Sequence, residues 1–379
     1  MNCMRRGQGW LYAAIVAMLV PAADAWAVQE GRWTLGEPVV SIGAGSLPEL
    51  EFFRVTGVLV HDGIVYVADS GSAEIRAFDL DNGSLIAVSG GKGEGPGEFD
   101  YLSWIGDCGS GELYGYDLAL RRTSAFSFDL EHIRTFPLEV DGATNANLVS
   151  CASSKGLATI QFRLDDWENP EPRRYRPETT AVVYSLEDGS LLNKTGSYPG
   201  PQRQRHGVND GPVLWGPAPV LAALPDGFVL GTSDRWQLTR HNALGTVVDS
   251  LVLDQENAPV LDSHIDAFID TRVAISRDPA GTRRRLRGDE YPTRFPAYSA
   301  VLSSSAGFVW VQQYPDPYAR EPQQWKIFAP NGSLAAVAEV PSDFTVLWIS
   351  EELVAGVWRN QMDIEYVEVR SILHNSAPF

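Results

Sequence analysis

The chain has 379 residues, 44% hydrophobic and 21% charged, with 35 Gly, 24 Pro and 11 Trp. Disordered, collagen-like and multi-span membrane chains need far more skewed compositions and are excluded. Asp+Glu 48 against Lys+Arg 30 gives a net charge of −18, which argues against nucleic acid as a partner, because that binding relies on Lys and Arg neutralising phosphate.

In chain order, Arg5 and Arg6 precede a ten-residue apolar run, Leu11 to Val20, then Pro21 and the A-x-A sites Ala23-Asp24-Ala25 and Ala25-Trp26-Ala27. A basic start, a short apolar stretch and a small-residue end are the parts of a secretory signal peptide. A bilayer-spanning helix needs about 20 apolar residues, roughly twice what is present. Residues 1–27 therefore read as a cleaved leader. Residues 28–379 read as one exported domain, periplasmic or extracellular, with no transmembrane segment. Cys3 leaves with the leader, whereas Cys108 and Cys151 stay. An oxidising compartment permits a disulfide between them, and two separate buried thiols are the alternative.

A Gly or acidic residue followed by an alternating apolar run recurs at Gly63–Asp69, Gly111–Asp117, Gly156–Phe162, Gly227–Ser233, Gly307–Gln313 and, more loosely, Glu352–Trp358. Start-to-start spacings are 48, 45, 71, 80 and 45 residues. A period near 45 with insertions in two intervals marks a propeller-type array. Second alternating runs end in turns at Asp81-Asn82-Gly83, Glu187-Asp188-Gly189 and Asn331-Gly332, which are β-hairpin signals. Helical periodicity is confined to Ala258–Ile275. The last unit, Phe344 to Leu373, has room for three strands, and a spare strand, Trp33 to Ile42, supplies the fourth. The expected fold is all-β: a six-bladed β-propeller of four-stranded blades, the last closed by the N-terminal strand.

Val67-Ala68-Asp69-Ser70 followed by Ile75–Asp79 resembles an NHL-type repeat. Gly90–Phe99 (GGKGEGPGEF) is similar to the interblade turn of exported bacterial six-bladed β-propeller proteins related to that group, and Phe295–Tyr298 ahead of Gly307–Trp310 resembles another of their segments. The resemblance covers about residues 33–373. It implies the propeller fold, and among propeller relatives it implies either a protein-binding scaffold or a lactonase or lyase with a metal in the central channel.

Glycines 90, 91, 93, 95 and 97 do not form a phosphate loop. Pro96 stands where the third Gly of G-x-G-x-x-G belongs, and Gly93 rather than Ser or Thr follows Lys92. They read as a crossing between blades in which Gly supplies positive φ. Asp69 and Asp117 are expected to cap turns at their strand ends. No G-x-S-x-G or H-E-x-x-H occurs. His61, His132, His206, His241, His264 and His374 are scattered, so no cofactor is predicted. A divalent metal held in the channel by several blades is invisible to spacing and remains the alternative.

In four-stranded blades, second-to-third-strand turns and blade-to-blade connections share one face. The long insertions Asp165–Glu178, Tyr198–Trp215, Asp254–Tyr298 and Tyr314–Gln324 all fall there. Long loops on a rigid scaffold are where function concentrates. Arginine also gathers there, and the candidate binding residues are Arg122, Arg174, Arg176, Arg203, Arg205, Arg283, Arg284, Arg285, Arg287 and Arg294. Arg277–Phe295, with six Arg against three acids, is the basic patch. Trp104, Trp215 and Trp348 fall at or beside innermost strands, to line the channel mouth or to pack between blades. The expectation is a monomeric binding or interaction module that takes an unknown protein or a small anionic ligand on its loop-bearing face and channel mouth. The alternative is a metal-dependent lactonase-like hydrolase or lyase.

Overall fold

The structure is a computed structural model and describes residues 31–43, 50–138, 144–163, 171, 173–206 and 209–375. The leader expected at 1–27 lies outside the described residues, as do residues 165–170 and 172 of the first insertion.

The strands arrive in groups. After β1 (Gly31–Gly43) come β2 (Val55–His61), β3 (Ile64–Asp69), β4 (Glu74–Asp79) and β5 (Leu85–Gly90), then β6 (Leu102–Asp107), β7 (Leu113–Asp117), β8 (Arg122–Phe126) and β9 (His132–Pro137). Next are β10 (Thr144–Ser153), β11 (Gly156–Arg163), β12 (Arg173–Tyr175), β13 (Glu178–Ser185) and β14 (Leu191–Pro199), then the short β15 (Arg203–His206) and β16 (Asn209–Pro212). β17 (Val220–Leu224), β18 (Gly227–Gly231), β19 (Gln237–Asn242) and β20 (Val247–Val252) precede helices α1 (Asp262–Ala274) and α2 (Pro279–Arg287). The chain ends with β21 (Tyr298–Ser303), β22 (Val309–Gln313), β23 (Gln323–Phe328), β24 (Leu334–Val340), β25 (Phe344–Ile349), β26 (Leu353–Arg359) and β27 (Glu365–Asn375).

Four separate four-stranded sheets form, β2–β5, β6–β9, β10-β11-β13-β14 and β17–β20, and an eight-stranded sheet runs β21-β22-β23-β24-β1-β27-β26-β25. Within each four-stranded unit the pairing is antiparallel. The innermost strands touch in sequence, β2 with β6, β6 with β10, β10 with β17, β17 with β21 and β21 with β25, and β25 touches β2. The arrangement is all-β and propeller-like.

Burial explains why the repeats read as they do. Middle strands are covered on both faces by neighbouring sheets, so β3 and β7 are buried along almost their whole length. Outer strands such as β5 alternate exposed and half-buried. The core is therefore a series of seams. Tyr66 and Ile75 of the first unit pack with Leu102 and Leu113 of the second, and Val65 and Val67 pack with Ala355 and Val369 of the last. The turn before β14 needs glycine: Gly189 has φ +75°, and a Cβ there would run into the carbonyl oxygen of Pro137 in the preceding sheet.

The spare N-terminal strand pairs antiparallel with β27 from Arg32↔Asn375 to Gly43↔Tyr366. It also does something the sequence did not suggest, pairing parallel with β24 from Gly31↔Ala336 to Thr34↔Glu339. The helical stretch at 258–275 contains α1. The second helix, α2, was missed, although Asp278 at its N-cap accepts from the Gly281 N–H at 2.9 Å and Pro279 opens it, a readable start signal.

Cys108 and Cys151 form a disulfide between the second and third units, with Cα atoms 5.3 Å apart. Between the third and fourth units, the fully buried His241 stacks on Phe228 with centroids 4.7 Å apart and its Nε2 meets the Tyr198 hydroxyl at 2.6 Å. Burial lowers its pKa from 6.5.

Two outcomes follow. The bridge closes a separation of 43 residues, so Cys108→Ser/Cys151→Ser or full reduction should cost about 4 kcal/mol in denaturant titration. His241 stays neutral in the fold while the unfolded chain takes up its proton. Its contribution is thus complete above pH 6.5 and lost as pH falls through the lowered folded value. Melting scans from pH 7.5 to 5 should fall more steeply for the wild type than for His241→Gln.

Candidate functional site

The four insertions come together on one face, with the described end of the first represented by β12. That strand pairs antiparallel with β15, and β15 pairs with β16, so the first and second insertions make a three-stranded sheet of their own. In the third insertion, α1 and α2 pack over Ile269 and Leu286. They are pinned by Arg283 to Asp270 at 2.8 Å and Arg287 to Asp266 at 3.0 Å. The buried Trp215, at the end of the second insertion, meets the rings of Phe268, Phe295 and Tyr318 at 6.1, 5.3 and 6.4 Å. Phe268 belongs to α1 and Tyr318 to the fourth insertion. His264 accepts the Leu261 N–H on Nδ1 at 3.0 Å, which leaves Nε2–H to donate to Asp316 of the fourth insertion at 3.2 Å. Arg174 reaches the Glu290 carbonyl oxygen, tying the small sheet to the helical insertion.

Most of the arginines singled out from sequence have partners within the protein. Arg122 donates to the carbonyl oxygens of Glu94, Gly95 and Glu98 at 2.6, 2.9 and 2.8 Å and so clamps the glycine-rich crossing. Arg176 spans Gly200, Pro199 and Thr232 carbonyls and the Asp234 carboxylate. Arg294 pairs with Glu256 at 2.9 Å. Arg203 and the fully buried Arg205 share Asp210, at 2.9 and 3.3 Å, and the Tyr175 hydroxyl donates to the same carboxylate. Burial alone would raise the Asp210 pKa, but the Tyr175, Arg203 and Arg205 hydrogen bonds outweigh it and hold the carboxyl below its usual range. A guanidinium has five donors and suits this work, since insertion backbones carry carbonyls that no strand satisfies. Arg284 and Arg285 differ: both are exposed on α2 and make no ion pair among the described residues, and Arg277 shares that condition.

Trp348 packs against the seams on both sides of the first unit, and Trp104 against the seam holding the disulfide. Both therefore act as packing groups, as does Trp215. Asp69 accepts the N–H groups of Phe53, Arg54 and Gly71 at 3.2, 2.8 and 2.9 Å. Asp117 accepts those of Asp100, Tyr101 and Leu120 at 2.6, 3.3 and 2.9 Å. Each fully buried carboxylate thus caps its own turn and also fixes the entry to its innermost strand. Among the described residues no three His, Cys, Asp or Glu side chains gather as a metal-ligand set, and no helix is long and apolar enough to cross a membrane.

No family model and no curated protein matches the chain by sequence, so the family resemblance rests on the motifs quoted above. Solved structures do match in fold. A Bacteroides fragilis protein classed as exported aligns with a TM-score of 0.51 at 10% identity, over 91% of this chain and 96% of its own. A Bacteroides vulgatus member of the DUF4221 family aligns at 0.52 and 10%, over 92% and 100%. Regucalcin from Agrobacterium tumefaciens, a calcium-binding protein, aligns at 0.47 and 10% over 92% and 98%, too loosely to carry an argument. At these identities the likeness concerns fold alone.

Asp210→Ala removes from the small sheet the carboxylate that Arg203 and Arg205 share. Breaking such a buried pair costs about 3–5 kcal/mol. Because the structure assigns this loss to the cap, protease digestion should open the cap of the variant first while the propeller strands stay protected.

Proposed function

We propose that the chain is an exported six-bladed β-propeller, its last blade completed by β1, and that it acts as a monomeric binding module in the periplasm or outside the cell. Six four-stranded units and the returning contact of β25 with β2 support the blade count. The observation that carries the functional reading is the cap. Separate insertions are joined by a common sheet, an aromatic cluster and ion pairs into one rigid platform on a single face. The opposite face carries short hairpin turns. A platform built this way holds exposed groups in fixed positions, which lowers the ordering cost of recognition.

On that platform Arg277, Arg284 and Arg285 are exposed arginines that make no ion pair among the described residues, as are Arg272 of α1 and Arg320 of the fourth insertion. They suit a small anionic ligand or an acidic segment of a partner protein. The Arg277–Phe295 patch is therefore narrower than its composition suggests, since Arg283, Arg287 and Arg294 each pair with a carboxylate at the surface of the cap. The lactonase-like or lyase alternative needs donor side chains directed into the channel, and no observation favours it specifically.

The test uses the mature protein as bait in an envelope extract of the producing cells, beside Arg284→Glu/Arg285→Glu. Partner recovery should fall at least tenfold, with an unchanged melting temperature, because both side chains are exposed and unpaired. Equal recovery by both proteins would remove the anionic reading. Stoichiometric calcium that leaves with EDTA together with several degrees of melting temperature would move the assignment to the channel enzyme.

A further inference from the structure

β1 parts from β24 after the pair Thr34↔Glu339 but stays bonded to β27 as far as Gly43. β24 ends one residue later, at Val340, so the two strands part there as the arms of a fork. In the fork lies a cleft of about 390 Å³, whose lining includes Thr34 and Leu35 from β1, Glu339, Ser342 and Asp343 from the end of β24 and the connection beyond it, and Arg320 from the fourth insertion. The cleft is broadly open to solvent, so what it can hold is set by the groups along its walls.

The charges in the cleft are mixed. Arg320 is exposed and makes no ion pair among the described residues. Glu339 gives one oxygen to Arg32 at 3.1 Å, and Asp343 gives one to the Trp358 Nε1–H at 2.9 Å. Each keeps a second oxygen without a described partner. A purely anionic ligand would meet two carboxylates, and a purely cationic one would meet the guanidinium. Like-charge contacts of that kind select against both. A ligand with opposite charges at its two ends satisfies the whole set. Shape adds a second constraint. Beyond Thr34 no described strand pairs with β1 on the β24 side, and the register with β27 shifts between Leu35 and Pro38. Extended peptides recognise open edges of this kind.

We infer that the fork binds a short zwitterionic peptide in extended form, its terminal carboxylate on Arg320 and its amino group between Glu339 and Asp343. Guanidinium and carboxylate pair bidentately, and the peptide lies along β1 where β24 has left it. The site is separate from the Arg284–Arg285 platform, so each is tested by its own variants.

The experiment is equilibrium dialysis of the mature protein against an equimolar library of random tripeptides, with retained species counted by mass spectrometry. Parallel arms use the same library with amidated C-termini and an equimolar mixture of free amino acids. Retention of free-carboxylate tripeptides should drop at least about tenfold on amidation, in Arg320→Glu and in the cleft-filling Ser342→Trp, as loss of a hydrogen bond to a charged group implies. Both positions are exposed, and unchanged melting curves will confirm that the variants fold. No retained tripeptide, equal retention by wild type and both variants, or retention of free amino acids alone would each overturn the inference.

Discussion

The double pairing of β1 is the constraint on which the rest of the molecule depends. A circle of sheets must join segments from opposite ends of the chain. Arg370 donates to the Gly36 carbonyl oxygen across 334 residues, and Glu365 accepts the Val55 N–H across 310. Closing a loop of that length costs on the order of 5 kcal/mol in chain entropy. The long ladder between β1 and β27 opposes that cost, as does burial of Val40 and Ile42 against the first and last units, at roughly 1.5–3 kcal/mol per side chain. Without β1 the last unit would have three strands and an exposed edge.

The other ties stand where the innermost strands approach each other least. Of the successive innermost strands, β6 with β10 and β21 with β25 contact each other least. The first of these seams carries the Cys108–Cys151 bridge. It is also crossed by Arg134, which grips Glu112 with two bonds of 2.7 Å and reaches the Leu186 carbonyl oxygen at 2.8 Å. The second is where β1 pairs parallel with β24. The fork follows from strand lengths: β24 ends at Val340, whereas β1 continues along β27 to Gly43.

The repeat was legible in the sequence because each unit repeats one physical demand, a middle strand buried on both faces followed by a tight turn. Gly63–Asp69 and Gly111–Asp117 state that demand plainly. The N-terminal strand was legible by subtraction, since the last unit lacked one. The pairing of β1 with β24 was not, because parallel pairing between distant strands leaves no periodic signal. Nor was the sheet made by Arg173–Tyr175, Arg203–His206 and Asn209–Pro212, whose strands are short and come from two insertions. Helix α2 could have been read from Asp278-Pro279, but its arginine-rich surface gave little apolar periodicity to find.

Arginine is where sequence and structure diverge most, and the reason is general. A sequence shows that cations accumulate in a segment but not whether a carboxylate from elsewhere meets them. Asp210 takes Arg203 and Arg205, Asp270 takes Arg283, and Asp266 takes Arg287. Each acid stands outside the arginine run it neutralises, so local charge could not reveal the pairing. On the insertions the fold leaves over Arg272, Arg277, Arg284 and Arg285 in the third and Arg320 in the fourth, all exposed and without an ion pair among the described residues. An excess of guanidinium groups builds the insertions into a platform, and the few left unpaired are the ones free to recognise something else. In a chain of net charge −18, such isolated cations also stand out electrostatically from an acidic surround, which favours compact anionic groups over extended polyanions that the rest of the surface would repel.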